Sequence, residues 1–365
     1  MDSERTVSGT RTKIIPLAFP KGMRKVCEVC QRDAHLQCDG CLVTFYCGEE
    51  HQQADWDGIH EKICQLLVPI RSLTTLHFSE DNHSEKEELI EICRLVAQRK
   101  VSEGKHREAV PAAQFCLRCS IDVHGPNTVQ LVPAYLLLAE VNMGLDNLGV
   151  VAELLSHAER AVLQSPECGF SVQHRLHRSL GRLNTATGNL EEALFHFAND
   201  IYFACEEYGL DSTVICAGYF LMANVFVKQE KMSVACSLYS QVVRTLHSLL
   251  TNLLKIYEQN IEDPAMSFDS SFDKSQQAEV DKILRDILEF EQQKFRKDPN
   301  QVAMVAHCLA ILWFLKGDSQ QALGFGSTAL QASQLIPKHD LTGPVQSLLL
   351  QLVQDLQTDP QPGSG

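Results

Sequence analysis

The chain has 365 residues, a formal net charge of −14 at pH 7 and a hydrophobic content of 44%. This length predicts two or three domains, and the excess of acidic residues argues against nucleic acid as the main partner. The sequence has no apolar run of about 18 residues and no secretory signal, so it predicts neither a membrane span nor export. We therefore expect an intracellular, cytoplasmic protein that binds neither nucleic acid nor membrane.

The first 64 residues divide into a tail and a cysteine-rich segment. Residues 1–26 are polar and mildly basic, which predicts a flexible tail. Eight Cys and His residues then form two Cys-x2-Cys pairs and two pairs with x3 spacing: Cys27, Cys30, Cys38, Cys41, Cys47, His51, His60 and Cys64. A structural zinc site is closed by four such ligands. The sequence therefore predicts two Zn²⁺ per chain and folding coupled to metal binding, rather than free thiols in an ordinary core.

This segment, residues 27–64, resembles the MYND zinc finger through the eight positions above together with Tyr46, Gln52 and Asp55-Trp56. The resemblance implies cross-braced ligands. One zinc is then held by Cys27, Cys30, Cys47 and His51, and the other by Cys38, Cys41, His60 and Cys64. The family usually has Cys at the position of His51, but imidazole is also a good zinc ligand.

The same resemblance implies a function for the finger. MYND fingers are protein-interaction modules, and several bind proline-containing peptides near the Gln and the Trp. Carried over to this sequence, the peptide-binding residues are Gln52 and Trp56. The alternative is that Trp56 only packs over the second zinc site. His35 fits no ligand spacing and is predicted to be a surface residue.

A linker over residues 65–84 precedes a helical segment over residues 85–357. Small residues recur there at intervals of 42 residues, in two sets. The first set is Ala97, Ala139, Gly181 and Ala223, and the second is Ala109, Val151, Ala193 and Ala235. Antiparallel helices need small side chains where they cross closely. The spacing therefore predicts a repeated helical hairpin.

These offsets resemble tetratricopeptide repeats, in a long form similar to that of kinesin light chains. The resemblance implies a mainly α fold, in which the finger is followed by a solenoid of about six 42-residue repeats and a capping helix. Residues 358–365 are predicted to be a disordered tail. The interval from Ala223 to Ala310 is 87 residues, which predicts a degenerate fifth repeat carrying the loop 263–275 and the amphipathic stretch 280–295.

Eight cysteines lie outside the zinc pattern, within apolar helical segments. They are Cys93, Cys116, Cys119, Cys168, Cys205, Cys216, Cys236 and Cys308. Such positions are typical of buried, reduced thiols.

The sequence carries no glycine-rich phosphate loop, nucleophile elbow or HExxH motif. Some lysine methyltransferases combine a MYND finger with helical repeats and split a SET domain around the finger. Only 26 residues precede this finger, and Glu85 follows Asn82-His83-Ser84 where a SET signature needs Cys. We expect no enzymatic activity, no catalytic residue and no small-molecule substrate.

A cationic stripe falls on the predicted inner helix of the third repeat. Arg175, Arg178 and Arg182 lie at i, i+3 and i+7, on one helix face. Arg94 in the first repeat and Asn224 in the fourth occupy matching positions. We expect this surface to bind an acidic peptide segment. Pairing with the chain's own carboxylates is the alternative.

The sequence thus predicts a non-enzymatic adaptor or scaffold that binds protein partners through a zinc finger and a helical-repeat groove. Long repeats of this type suggest cytoskeletal, ciliary or flagellar assemblies by analogy. The alternative is a transcriptional cofactor whose finger binds proline-containing peptides. The lack of a basic nuclear import cluster favours the cytoplasm over the nucleus.

Overall fold

The computed structural model of the protein describes residues 11–13, 25–71, 81–165, 167–210, 212–259, 272, 274–294 and 296–358. The chain forms two compact units, Met1–Ser179 and Leu180–Gly365. The boundary between them falls within one helix. Among the described residues, no helix is long and apolar enough to cross a membrane.

The cysteine-rich segment folds as a small sheet followed by short helices. Three antiparallel strands lie in the order β1–β2–β3, at Arg11–Lys13, Leu36–Cys38 and Phe45–Tyr46. Helix α1 follows at Glu49–Asp55, then a π-helical turn at Trp56–His60 and helix α2 at Glu61–Ile63. Strand β1 lies in the predicted tail, where Arg11 pairs with Cys38. The other residues of the predicted tail up to residue 24 lie outside the described residues.

The rest of the first unit is helical. Its helices are α3 (Leu67–Arg71), α4 (Asp81–Ser102), α5 (His106–His124), α6 (Val132–Met143) and α7 (Leu148–Leu163). A 3-10 turn at Val129–Leu131 precedes α6. Helix α4 packs against α5, α5 against α6, and α6 against α7. Helix α3 lies within the predicted linker, where its Leu67 is only 1% exposed.

Helix α8 (Phe170–Thr187) contains the boundary between the units. The second unit continues with α9 (Leu190–Tyr208), α10 (Thr213–Lys228), α11 (Met232–Gln259), α12 (Lys274–Gln293), α13 (Pro299–Leu315), α14 (Ser319–Gln334) and α15 (Thr342–Thr358). Helices α9 to α11 pack in sequence, as do α12 to α15, and α11 packs directly on α13. One apolar core runs from α10 to α15.

The small residues predicted from the 42-residue interval lie where the helices pack. Ala97, Ala109, Ala193 and Ala235 are fully buried. At Gly181 a methyl group would lie 2.6 Å from Cε1 of Phe197, so the contact between α8 and α9 requires the absence of a side chain there. The predicted mainly α architecture, a small finger followed by helical repeats, is confirmed.

The structure differs from the predicted count of repeats. Five helix pairs are present among the described residues: α4–α5, α6–α7, α8–α9, α10–α11 and α13–α14. One helix, α12, lies where a degenerate fifth repeat was predicted. Because α11 contacts α13 directly, α12 is an insertion between the fourth pair, α10–α11, and the fifth pair, α13–α14. Most of the predicted loop 263–275, and residues 359–365 of the predicted tail, lie outside the described residues.

None of the fourteen cysteines forms a disulfide. Of the eight outside the finger, five are buried and three, Cys168, Cys205 and Cys236, are half-buried. Burial raises the pKa of Cys116 to about 12 and that of Cys119 to about 11. Thiols with raised pKa values react slowly because the thiolate is the reactive form.

Candidate metal centres

The first cluster consists of Cys27, Cys30, Cys47 and His51, whose ligand atoms lie within 4.8 Å of one another. The loop after β3 brings Cys47 to within 3.6 Å of Cys30, measured between the Sγ atoms. Helix α1 places Nδ1 of His51 3.0 Å from Sγ of Cys47 and 3.5 Å from Sγ of Cys27. Only Cys27 of this cluster is fully buried.

The second cluster consists of Cys38, Cys41, His60 and Cys64, and all four are buried. Nε2 of His60 lies 3.3 Å from Sγ of Cys38 and 3.7 Å from Sγ of Cys41. The Sγ atoms of Cys38 and Cys64 are 3.9 Å apart. Hydrogen bonding from Cys38, and less strongly from His60, lowers the pKa of Cys41, whereas the contact with Cys41 together with burial raises the pKa of Cys38.

These distances fit a tetrahedral zinc ion. With Zn–S near 2.3 Å and Zn–N near 2.0–2.1 Å, the edges of the tetrahedron are about 3.8 Å between two sulfurs and about 3.6 Å between sulfur and nitrogen. The measured separations, 3.0–3.9 Å, scatter around these values. Three soft thiolates and one imidazole in each cluster are also the donor set that zinc prefers.

A hydrogen-bonded pair orients the histidine of the second cluster. Nδ1 of His60 faces Oδ2 of Asp55 at 3.7 Å, and the Tyr46 hydroxyl donates to the same oxygen at 2.7 Å. Burial raises the pKa of Asp55 despite the Tyr46 and His60 contacts. At 3.7 Å the contact is electrostatic rather than a hydrogen bond, and a carboxylate on this side of a ligating imidazole favours the tautomer that presents Nε2 to the metal.

The family comparison matches the same residues. The family model described as the MYND finger covers residues 27–64. Residues 27–64 are a MYND finger. Its two clusters are zinc-binding clusters in the cross-braced pairing expected from the sequence, consistent with two Zn²⁺.

Other similarities to known proteins are narrow or weak. A Rho GTPase-activating protein, gacZ of Dictyostelium discoideum, is 42% identical over 43 residues, which are 12% of this chain and 4% of that protein. BtubC (BKLC) from P. vanneervenii is 14% identical, covering 76% of this chain and 96% of that chain, with a TM-score of 0.30. The apo form of RapI is 11% identical, covering 78% and 98%, with a TM-score of 0.40. The helical architecture therefore rests on the elements described above.

The MYND finger is anchored to the helical segment by an ion-pair network. Glu28, between two zinc-cluster cysteines, accepts hydrogen bonds from Arg71 of α3 at 2.9 and 3.2 Å and from Arg118 of α5 at 2.6 Å. The guanidinium carbons of both arginines lie over the Phe115 ring, at 5.4 and 5.7 Å from its centroid. Burial opposes ionisation of Glu28, but the two arginines outweigh it and hold the pKa of Glu28 below its usual value.

A close steric contact adds to this anchor. Gly58, in the π-helical turn, lies against the ring of Pro111 in α5, and a methyl group at Gly58 would be 2.7 Å from Cγ of Pro111. Helix α1 also packs on α5. The MYND finger and the first helix pair therefore share an interface within one compact unit.

The predicted peptide-binding residues of the finger lie one helical turn apart. Gln52 in α1 and Trp56 in the π-helical turn are both half-buried. The Trp56 ring is 5.8 Å from the His60 ring, centroid to centroid, and packs against the second cluster. Trp56 therefore has the packing role given as the alternative, while part of its surface stays accessible. His35 is exposed, as predicted.

The predicted polar residues of the repeats already have partners. Arg94 forms an ion pair with Glu91, at 2.5 Å, and a hydrogen bond to Gln98. Asn224 accepts a hydrogen bond from the Tyr239 hydroxyl at 2.5 Å. The stripe residues Arg175, Arg178 and Arg182 lie on α8, and each of the three has an interaction partner. The ion pair of Arg94 with Glu91 is of the kind given as the alternative, pairing with the chain's own carboxylates.

The anchoring network was not predicted from the sequence. Glu28 lies 43 residues from Arg71 and 90 residues from Arg118, so no local spacing links the three. Asp55 belongs to the sequence pattern that resembles the MYND finger, but its contact with His60 became evident only from the distance between Asp55 Oδ2 and His60 Nδ1.

Proposed function

We propose that this protein is a non-enzymatic adaptor or scaffold that binds protein partners. The observation that carries the proposal is the donor count of the two zinc clusters. Each cluster offers four protein ligands, which close a tetrahedral ion and leave no position for a substrate or a reactive water. Zinc in such a site stabilises a fold. The combination of a MYND finger with helical repeats is typical of interaction modules.

The first binding surface in this proposal is the finger itself, where Gln52 and Trp56 would contact a proline-containing peptide. The part of Trp56 that remains accessible supports this role. Aromatic side chains are frequent anchors in peptide-binding interfaces. The alternative function is that of a transcriptional cofactor, in which the same finger would bind proline-containing peptides.

The second surface is the face of α8 that carries Arg178 and Arg182. Both are half-buried, one turn apart, on one helix face. A partner with acidic side chains would compete with the present partners of these arginines through charge-assisted hydrogen bonds. Because exposed charges are screened beyond about 8 Å at physiological ionic strength, such binding should weaken with salt.

The proposal extends to identity and location. The order of a MYND finger followed at once by long helical repeats is similar to that of zinc finger MYND domain-containing protein 12, and a relation to it is part of the proposal. A cytoplasmic location with ciliary or flagellar association rests on analogy with long repeats. Fluorescence microscopy of the tagged chain in ciliated cells tests it, and an exclusively nuclear signal would contradict it.

Affinity purification with quantitative mass spectrometry tests the adaptor function. The zinc-loaded chain is compared with Trp56→Ala and with the pair Arg178→Glu and Arg182→Glu, after confirming that each variant keeps the melting temperature. We expect a reproducible set of partners, part of which is lost in one variant. If no protein exceeds the mock purification, or if all partners persist in both variants, the proposed surfaces are wrong.

A further inference from the structure

A groove between the MYND finger and the first helix pair has no role in the function proposed so far. It has a volume of about 880 Å³ and lies within the first compact unit. The finger, α3, α4 and α5 all contribute to its wall. Its volume falls within the range of about 300–1,000 Å³ that is typical of ligand sites.

The floor of this finger–helix groove is apolar. Val43 of the finger, Leu67 of α3, Leu89 of α4 and Phe115 of α5 contribute to it. Leu42 stands at the rim, 58% exposed. Such a surface can hold apolar side chains of a bound segment, because burying them releases water from both partners.

The tight turn that ends each Cys-x2-Cys pair, called the zinc knuckle below, does not require an exposed leucine at position 42. The backbone at Leu42 has a φ of 60°, and Gln31, which follows the other Cys-x2-Cys pair, has a φ of 58°. Both knuckles therefore have a residue with left-handed backbone at this position, but only one of them has a leucine there. The Gln37 side chain donates to the Leu42 carbonyl at 2.5 Å and holds this turn in place. A polar residue such as Gln31 satisfies the knuckle equally well.

The charges around the groove are mostly positive. Its lining includes Lys25, Arg71, Lys86 and Arg118, but only two carboxylates, Glu28 and Asp122. This local excess of two positive charges contrasts with the net charge of −14 for the whole chain.

Two of these cations keep donors for a ligand. Arg118 donates one N–H to Glu28, which leaves most of its five donors for other acceptors. Lys86 is half-buried, and its ammonium has no carboxylate within 4.0 Å among the described side chains. A carboxylate entering the groove would therefore meet donors that the fold has not fully used.

We propose that the finger–helix groove binds a peptide segment of a partner protein in which acidic side chains alternate with large apolar ones. The apolar floor and Leu42 would take the apolar side chains, and Lys86 with Arg118 would take the carboxylates. The floor favours a peptide over a nucleic acid, whose charged backbone gains little from apolar walls. The proposal rests on the function of protein binding, but it concerns neither the Gln52–Trp56 surface nor the face of α8.

The probe for this proposal is a phage-displayed library of random 12-residue peptides, selected on the zinc-loaded full chain. We expect enrichment of peptides that contain several Asp or Glu residues beside Leu, Ile or Phe. One enriched peptide is then labelled and its Kd is measured by fluorescence anisotropy. Absence of acidic enrichment overturns the proposal.

Matched variants locate the binding site. Lys86→Glu should weaken binding about tenfold, because it reverses a charge that contacts the ligand. Leu42→Ser should weaken it about tenfold by removing a buried apolar contact. The controls are Lys62→Glu and Leu163→Ser, at exposed positions outside the groove, and they should change the Kd less than about twofold. Equal effects of groove and control variants overturn the proposal.

A photo-crosslinker at the rim identifies what occupies the groove. Benzoylphenylalanine replaces Leu42 in the full chain, which is irradiated with and without the peptide. A crosslink to the peptide supports the proposal. A crosslink to residues 14–24 or 72–80 of the same chain, or to a second copy, that persists with saturating peptide overturns it. Displacement of the peptide by single-stranded DNA, with the same loss in Lys86→Glu, would assign the groove to nucleic acid and overturn it as well.

The same set of variants separates this proposal from the adaptor function. If cellular partners are lost in Trp56→Ala or in the α8 variant but persist in Lys86→Glu and Leu42→Ser, the adaptor function stands and the groove proposal fails. If no surface binds any partner, the adaptor function itself is wrong.

Discussion

Replacing Glu28 by Gln tests how firmly the finger is anchored to the helices. Glu28 accepts three N–H hydrogen bonds from Arg71 and Arg118, and its side chain is 11% exposed. Glu28→Gln keeps the shape of the side chain but removes the charge that holds both guanidinium groups. The zinc content should not change, because the carboxylate is not among the ligand atoms of either cluster.

The size of the effect follows from the exposure of the partners. A hydrogen bond to a charged group contributes about 1.5–3 kcal/mol, and breaking a fully buried ion pair costs about 3–5 kcal/mol. The arginine side chains are 30% and 34% exposed, so water can solvate them when the carboxylate is lost. We therefore expect Glu28→Gln to lower the free energy of unfolding of the first unit by about 2–3 kcal/mol.

The assay is chemical unfolding of the zinc-loaded chain, followed by hydrogen exchange to assign the loss to the finger, α3 and α5. Glu153→Gln, at an exposed position of α7, is the matched control and should change stability by less than about 0.5 kcal/mol. A double-mutant cycle with Arg118→Gln should give a coupling energy of about 1 kcal/mol or more. A loss from Glu28→Gln no larger than that of the control would refute the anchoring role of the network.

Three further predictions concern a steric contact, the metal and a buried histidine. Gly58→Ala should destabilise the first unit by about 1–3 kcal/mol through the clash with Pro111, whereas Gly48→Ala, with open space around it, should not; equal unfolding curves would contradict the contact. Native mass spectrometry should count two zinc ions per chain, and their removal by a chelator should also increase hydrogen exchange in α5, since the finger packs on it; a single retained zinc would refute the two-site assignment. Burial lowers the pKa of His307 to about 4 from the value of 6.5 for an ordinary histidine. As the pH falls below 6.5 the unfolded state takes up a proton that the folded state does not, so the second unit should lose about 1–2 kcal/mol between pH 6.5 and 5 and more down to about pH 4. His307→Leu should remove this part of the pH dependence, and parallel stability curves for both proteins would show that the histidine does not titrate in this way.

The local parts of this protein could be predicted because their constraints repeat at short spacing. Two Cys-x2-Cys pairs and two x3 pairs identify the eight zinc ligands, since a tight turn or one helical turn places the two members of each pair on the same side of the chain. The resemblance to the MYND finger implied which pairs share an ion. The 42-residue interval identified the helix crossings for a similar reason. Each helical hairpin needs a small residue at the position of Gly181, because a larger side chain there would clash with a residue of the second helix, as with Phe197.

The tertiary structure determined the contacts between residues that no regular spacing in the sequence connects. Glu28 meets Arg118 across 90 residues, and Gly58 meets Pro111 because the π-helical turn packs on α5. The insertion that contains α12 likewise became evident only from the direct packing of α11 on α13. Side-chain periodicity specifies which face of a helix is apolar. Which element packs on that face, and which residue pairs with a charge next to it, depends on segments that are distant in the sequence. Packing and charge pairing in three dimensions therefore determine the anchor and the groove, whereas ligand spacing along the chain identifies the zinc ligands.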